Sequence, residues 1–283
     1  MARQRILIVD DDPDVHQLLG VALQAPDRQV ESAYDGISGL RCIEAAPYDL
    51  VMTDVNMPGL DGMRLLERIR EVRPETRVVV MTVVSTPENI IRAIRERAFS
   101  YFSKPFTLGS VAEMVERALN STPSADDIEV FSARPHWLSL RVRCKMETAD
   151  RILQFLREMK TGLPAIEEEH IAMAFREILL NAIEHGAGSD PSKRVFITYV
   201  RTKRALFYYV RDPGTGFSFE KLSHAAVANP EGSPFDHTEV REQLGLRPGG
   251  FGILMTARLV DELIYNEAGN EVLLVKYLDG AGG

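Results

Sequence analysis

Along the first 120 residues, short apolar runs alternate with segments whose apolar positions recur at helical spacing. The runs cover residues 6–9, 30–34, 50–53, 78–82 and 99–102. Helical spacing marks 14–23, 63–72, 87–97 and a closing segment at 108–119. Strands alternating with amphipathic helices predict an α/β domain, a doubly wound parallel five-stranded sheet covered on both faces. Right-handed crossovers would then bring the C-terminal ends of the strands to one edge, where such sheets bind ligands.

The pattern changes after residue 120. The segment Asn-Ser-Thr-Pro-Ser-Ala-Asp-Asp at 120–127 is polar and turn-rich, which is linker composition. We place the first domain at 1–120, a linker at 121–134 and a second domain at 135–283. In the second domain, strand-like alternation occupies 137–142, 194–200, 205–210, 262–266 and 271–278. Helical spacing occupies 149–159, 166–184 and 251–259, and a long irregular stretch runs from 217 to 248. Strands grouped with strands predict an α+β two-layer sandwich.

Bulk properties narrow the class of function. The chain has 283 residues, 45% apolar and 26% charged, with a formal net charge of −8. An acidic balance argues against nucleic acid or an anionic membrane as partner, because those partners select a basic footprint. No run approaches the roughly 18 apolar residues of a membrane span. The two cysteines, Cys42 and Cys144, lack metal-ligand spacing and read as reduced thiols of a cytoplasmic protein.

The chemistry of the first domain lies at the strand ends. Asp10, Asp11 and Asp12 follow the first run, Asp54 the third, Thr82 closes the fourth, and Lys104 follows the fifth. Clustered carboxylates repel one another unless a hard cation sits among them, and Mg²⁺ suits such oxygen donors. Asp54 is then the nucleophile that forms an aspartyl phosphate. Lys104 neutralises phosphate charge as a point cation, and the Thr82 hydroxyl donates to a phosphate oxygen. Asp-Asp-Pro at 11–13 also reads as a helix start in its own right, and the cap is the better assignment for Asp12. His16, on the next helix, reads as a surface residue.

These motifs resemble the receiver domain of response regulators over residues 1 to about 120. The matching segments are Ile-Leu-Ile-Val-Asp-Asp-Asp at 6–12, Asp-Val-Asn-Met-Pro-Gly-Leu-Asp-Gly at 54–62 and Tyr-Phe-Ser-Lys-Pro-Phe at 101–106. The resemblance implies that Asp11 and Asp54 ligate Mg²⁺ together with the backbone carbonyl of Asn56, and that Asp10 acts through water. It also implies that Thr82 and Tyr101 carry the conformational switch. The residue after the switch threonine is usually small in that family and is Val83 here. We expect the bulkier side chain to lengthen the life of the aspartyl phosphate.

Three motifs mark the second domain. In Glu-Ile-Leu-Leu-Asn-Ala-Ile-Glu-His-Gly at 177–186, Glu177 and Asn181 are four apart and share a helical face. A cation with its water shell would satisfy both; Asn supplies an oxygen ligand, and Glu can orient or deprotonate a nucleophile. In Asp-Pro-Gly-Thr-Gly at 212–216, Asp212 sits at a strand end, where it can accept from an exocyclic amine. Gly214 and Gly216 let backbone approach a flat base. In Arg-Pro-Gly-Gly-Phe-Gly-Ile at 247–253, Gly249, Gly250 and Gly252 open a helix whose N–H groups could hold phosphates. Each motif alone is equally well read as an ordinary turn or loop.

Together, in this order, they resemble the GHKL (Bergerat-type) ATP-binding fold over about 135–278, and within it the anti-sigma-factor serine kinases. The resemblance implies ATP with Mg²⁺ on Asn181, adenine read by Asp212, and a base pocket shaped by Gly214 and Gly216. It implies phosphates held by Gly249, Gly250 and Gly252; Arg247, from its place at the end of the irregular stretch, could reach the γ-phosphate. Glu177 would be the general base, and 217–248 a lid that is long and acidic for this subfamily. The implied function is a receiver that controls a serine/threonine protein kinase. The implied partners are a sensor histidine kinase or other phosphodonor upstream and an anti-sigma-factor antagonist or sigma-factor-like protein downstream, with a homodimer left open. The alternative is an ATP-loaded module that sequesters its partner without transfer. A hybrid histidine kinase fits poorly, because the only histidine between 121 and 168 is His136, outside any long helical segment.

Overall fold

The computed structural model describes residues 3–121, 127–216 and 252–278. The chain divides into two compact units, residues 1–125 with 154–160 and residues 126–153 with 161–283.

The first unit contains strands β1 (Gln4–Val9), β2 (Arg28–Ala33), β3 (Leu50–Asp54), β4 (Arg77–Thr82) and β5 (Ser100–Ser103). They form a parallel sheet of order β2-β1-β3-β4-β5. Helices α1 (Pro13–Ala22), α2 (Gly36–Ala45), α3 (Gly62–Val72), α4 (Pro87–Arg95) and α5 (Leu108–Asn120) connect and follow them. The sequence pattern picked out every strand but did not single out α2. That helix has two glycines in ten residues and a broken apolar stripe.

Each helix begins at a side chain that accepts a backbone N–H: Asp12, Asp35, Asp61, Thr86 and Thr107 for α1 to α5. Such caps are typically worth about 1 kcal/mol each. Strands β1, β3 and β4 are buried on both faces, as central parallel strands must be. Ile6, Ile8, Leu50, Met52, Val79 and Met81 pack with Met114, Val115 and Ala118 of α5 in one core. The strand order reverses between β1 and β3, and the crevice beyond their C-terminal ends is where a doubly wound sheet binds its ligand.

The second unit is an antiparallel six-stranded sheet of order β10-β11-β9-β8-β7-β6. Its strands are β6 (Ile128–Arg134), β7 (Trp137–Arg143), β8 (Arg194–Arg201), β9 (Ala205–Arg211), β10 (Glu262–Tyr265) and β11 (Glu271–Tyr277). Strand β6 corrects the sequence reading, which gave 121–134 to a linker. Ile128–Arg134 pairs with β7 through a register shift between Val130 and Ser132, so the sheet starts earlier than expected.

Among the described residues, α6 (Met146–Glu158) begins in this unit and ends in the first, and α7 (Ala165–Asn181) and α8 (Gly252–Leu259) accompany the sheet. The sheet's inward face is apolar, with Val195, Ile197, Leu206 and Val210 all buried. Phe175 of α7 meets Tyr208 of β9 with ring centroids 5.1 Å apart. The helix expected over 166–184 is α-helical only to Asn181 and continues as a π-turn at Ala182–Gly186. Both cysteines are free thiols, and Cys144 is buried. Among the described residues, no helix is long and apolar enough to cross a membrane.

Candidate functional site

The first site is built at the ends of four strands. Asp10 follows β1, Asp54 ends β3, Thr82 ends β4 and Lys104 follows β5. Asp10 is fully buried and Asp54 nearly so, at 0% and 4% exposure. The Lys104 ammonium reaches both, with Nζ 2.7 Å from Asp10 Oδ2 and 2.7 Å from Asp54 Oδ1. Two buried carboxylates are therefore held toward one cation, an arrangement that costs several kcal/mol if the cation is removed. Burial holds the Asp10 carboxyl above its usual range, opposed by Lys104 and by the Asp12 N–H. For Lys104, burial works to lower its pKa, but hydrogen bonds to Asp10 and Asp54 outweigh it and leave it raised.

Around this pair, the Asn56 N–H donates to Asp54 Oδ2 at 2.6 Å. Asn56 Nδ2 donates to Thr82 Oγ1 at 3.3 Å. The Thr82 hydroxyl also donates to the Val84 carbonyl and accepts from the Val84 N–H, both at 3.2 Å. Thr82 is thus tied into the turn after β4. Tyr101 of β5 is fully buried, and burial pushes its phenol up to about 12. Asp12 behaves as a cap, accepting from Asp14 N at 2.9 Å.

Asp11 is exposed, and no three His, Cys, Asp or Glu side chains cluster closely enough to hold a metal among the described residues. Mg²⁺ needs only one or two carboxylates with retained waters, so Asp54 with an exposed Asp11 carboxylate fits it. One expectation needs correction: His16 is not a surface residue but 8% exposed. Its Nε2 lies 2.8 Å from the Asp10 carbonyl and its Nδ1 2.9 Å from Ser32 Oγ. It anchors the chain where β1 turns toward α1.

The second site lies within the second unit. Glu177 and Asn181 occupy one face of the last turns of α7. A Cβ on Gly252, the first residue of α8, would stand 1.9 Å from Glu177 Oε1. The Glu177 carboxylate therefore rests against the start of α8. The π-turn closes the other side. A Cβ on Gly186 would stand 2.2 Å from the Asp212 carboxyl carbon, and one on Gly214 would stand 2.5 Å from the Gly186 carbonyl. π-Turns recur at functional sites because the extra residue redirects backbone, and here it brings Gly186 onto Asp212.

Asp212 Oδ1 accepts from the Gly214 N–H at 2.7 Å. Burial pushes the Asp212 carboxyl up, and that N–H pulls it partly back. Sequence reasoning missed Tyr265 at the end of β10. Its phenol is raised by burial first and then by the charges of Asp212 and Glu177, so it belongs to the same neighbourhood. His185 lies exposed in the π-turn. Arg247, Gly249, Gly250 and the expected lid at 217–248 lie outside the described residues.

A half-buried carboxylate set in glycines that leave no room for a side chain suits a flat, amine-bearing base. An acidic and an amide side chain four apart suit a hydrated cation.

The comparisons with known proteins agree with this geometry. Residues 6–116 match the response regulator receiver domain, and residues 142–276 match the histidine kinase-like ATPase domain. The chain therefore joins a receiver domain to a GHKL-like ATPase domain. Among curated relatives it is similar to the response regulator protein PilR of Pseudomonas aeruginosa. The two are 33% identical over 131 residues, covering 46% of this chain and 29% of that protein. It is also similar to the DNA-binding transcriptional regulator NtrC of Azospirillum brasilense, 36% identical over 126 residues, covering 44% and 26%. The chain thus spans less than a third of the curated relatives it matches. Among solved structures, a response regulator receiver domain protein from Clostridium thermocellum aligns at 31% identity and a TM-score of 0.39. It covers 41% of this chain and 94% of that one.

Proposed function

We propose that this protein is a two-component response regulator in which phosphorylation of Asp54 controls an ATP-dependent serine/threonine protein kinase. The observation that carries the receiver half is the Lys104 ammonium shared by Asp10 and Asp54 at 2.7 Å. Asp54 attacks the phosphorus of a phosphodonor such as a sensor histidine kinase; its carboxylate oxygen forms the new bond and the donor's side chain leaves. Lys104 then stabilises the phosphoryl charge. Asp11, Asp54 and the Asn56 carbonyl would hold Mg²⁺, with Asp10 acting through water, and the ion would supply charge neutralisation to the phosphoryl oxygens. Thr82 would exchange its bonds to Val84 for one to the phosphoryl group, and Tyr101 would follow as the second switch residue.

The kinase half rests on Glu177 packed against Gly252 and Asp212 packed against Gly186 and Gly214, with Asn181 on the same helical face as Glu177. Asp212 would accept from the adenine amine, and Asn181 would ligate Mg²⁺. Glu177 would take the proton of an incoming serine or threonine hydroxyl, and Gly249, Gly250, Gly252 and Arg247 would hold the phosphates. The substrate class we favour is a protein of the anti-sigma-factor-antagonist type. A phosphohistidine mechanism is disfavoured by His136, which lies in the turn between β6 and β7. Its carbonyl accepts from Arg201 N at 3.0 Å.

The test is incubation with γ-labelled ATP, Mg²⁺ and antagonist-type proteins, with and without a phosphoryl mimic at Asp54. Acid-stable label on a partner serine or threonine, changed by the mimic, supports the reading. ATP binding without transfer to any partner overturns it in favour of a sequestering switch, and acid-labile label on this chain overturns it in favour of a histidine kinase.

A further inference from the structure

The loop that carries Asp212 does not stand alone. Strand β9 ends at Arg211, paired with Glu271 at the start of β11, so the turn between β10 and β11 lies beside the loop. Asn270, in that turn, grips the loop twice. Its carbonyl accepts from Asp212 N at 3.0 Å, and its Nδ2 donates to the Gly214 carbonyl at 3.1 Å. Gly214 N in turn holds Asp212 Oδ1 at 2.7 Å. The direction of the Asp212 carboxylate is therefore set through Gly214 by Asn270.

The Asn270 amide is itself oriented. Asn266 Nδ2 donates to Asn270 Oδ1 at 2.9 Å, which leaves Nδ2 to face Gly214. Asn266 Oδ1 accepts from the N–H groups of Gly269, Asn270 and Glu271 at 2.8, 3.1 and 3.1 Å. An Asx side chain bonded to the backbone ahead of it is a rigid turn element. At the far end of the loop, Gly216 has φ +79°, and a Cβ there would stand 1.8 Å from the Ala268 carbonyl. Loop and turn are thus pressed together along their whole length.

We propose that Asn270 is a positioning residue for nucleotide-base selection, holding Gly214 so that the Asp212 carboxylate is fixed toward an exocyclic amine. It acts through the loop and makes no contact with the base. This rests on the reading of Asp212 as the base-recognising residue. Orientation is what discriminates: a fixed acceptor penalises a base that lacks the matching donor, and a swivelling one does not.

The test compares binding of ATP and of purine riboside triphosphate, which lacks the 6-amino group, to the full chain by calorimetry. Asn270→Asp is the first variant. It keeps the shape and the turn-forming character but sets an acceptor against the Gly214 carbonyl. We expect wild type to prefer ATP, and the variant to lose about fivefold to tenfold in ATP affinity with little change for the analogue, so that the preference narrows. Asn270→Ala should narrow it likewise and serves if the first variant does not fold. A merely structural role would weaken both nucleotides equally. A wild-type protein that binds both equally sinks the reading of Asp212. A wild-type preference that survives intact in the variants overturns the role of Asn270.

Discussion

Gly252 and Glu177 share one surface: a methyl group on the first residue of α8 would stand 1.9 Å from Glu177 Oε1. The carboxylate is the end of a flexible side chain and would swing away, so Gly252→Ala should change the melting temperature little. The proposed base would then be out of line with an incoming hydroxyl. General-base catalysis typically contributes about 10²–10⁴-fold. Phosphotransfer by Gly252→Ala should fall by about 10²-fold, and Glu177→Gln, which leaves the phosphate-holding glycine in place, should fall likewise while ATP still binds. Unchanged transfer rates in a stable variant would remove Glu177 from the mechanism.

Val83 follows Thr82 directly and is 70% exposed. Its side chain is therefore free of the core at the C-terminal end of β4, the edge of the sheet that also carries Asp54. We expect Val83→Ala to speed loss of phosphate from Asp54 by several-fold, followed on the isolated phosphoprotein by label release. Stability should hardly change, since little apolar area is buried at this position. Decay at the wild-type rate would mean that access is governed elsewhere.

The receiver site could be read from sequence because its residues sit at strand ends, and strand ends are visible in the alternation of apolar runs and helices. Asp10, Asp54, Thr82 and Lys104 needed only topology to meet. What escaped depended on contacts between distant segments. Strand β6 alternates apolar and polar residues, but it abuts the polar 120–127 segment and merges with it in the sequence pattern. The π-turn at Ala182–Gly186 carries on the helical periodicity and declares itself only through Gly186 against Asp212. His16 is a lone imidazole on a helix in sequence, yet its partners are the Asp10 carbonyl and Ser32. Asn270 reads as an ordinary turn residue until β11 pairs with β9.

Glu31 of β2 accepts from Arg5 at 2.6 Å and from the Tyr48 hydroxyl at 2.7 Å. The Arg5 hydrogen bond, opposed by burial and aided by Tyr48, holds its carboxyl below the usual range. A depressed carboxyl contributes stability above its unfolded value near 4.5. That contribution is lost as pH falls through the folded value. Both side chains are partly exposed, so the effect should stay below about 1 kcal/mol. Denaturant titrations should show the gap between wild type and Glu31→Gln shrinking from pH 6 to pH 3. A gap independent of pH would contradict the assignment.

Lys104 offers the sharpest test of the receiver site. It is the cation toward which Asp10 and Asp54 are held, and Asp10 is raised by its burial even with Lys104 present. Replacing it by methionine leaves two inward carboxylates with no counter-charge, a change that typically costs about 3–5 kcal/mol. A raised carboxyl destabilises the fold when it ionises, so its penalty is absent below the unfolded value near 3.8 and grows as pH rises through the folded value. Lys104→Met should therefore be strongly destabilised at pH 7 in EDTA and much closer to wild type near pH 4. If Asp11 and Asp54 hold Mg²⁺ and Asp10 meets it through water, millimolar Mg²⁺ should restore part of the loss at pH 7, because a bound cation does what the ammonium did. Calorimetry on both proteins at the two pH values, with and without Mg²⁺, decides it. Equal melting temperatures at pH 7 would show that the shared ammonium contributes nothing. A loss that Mg²⁺ cannot restore would separate the ion pair from any metal site.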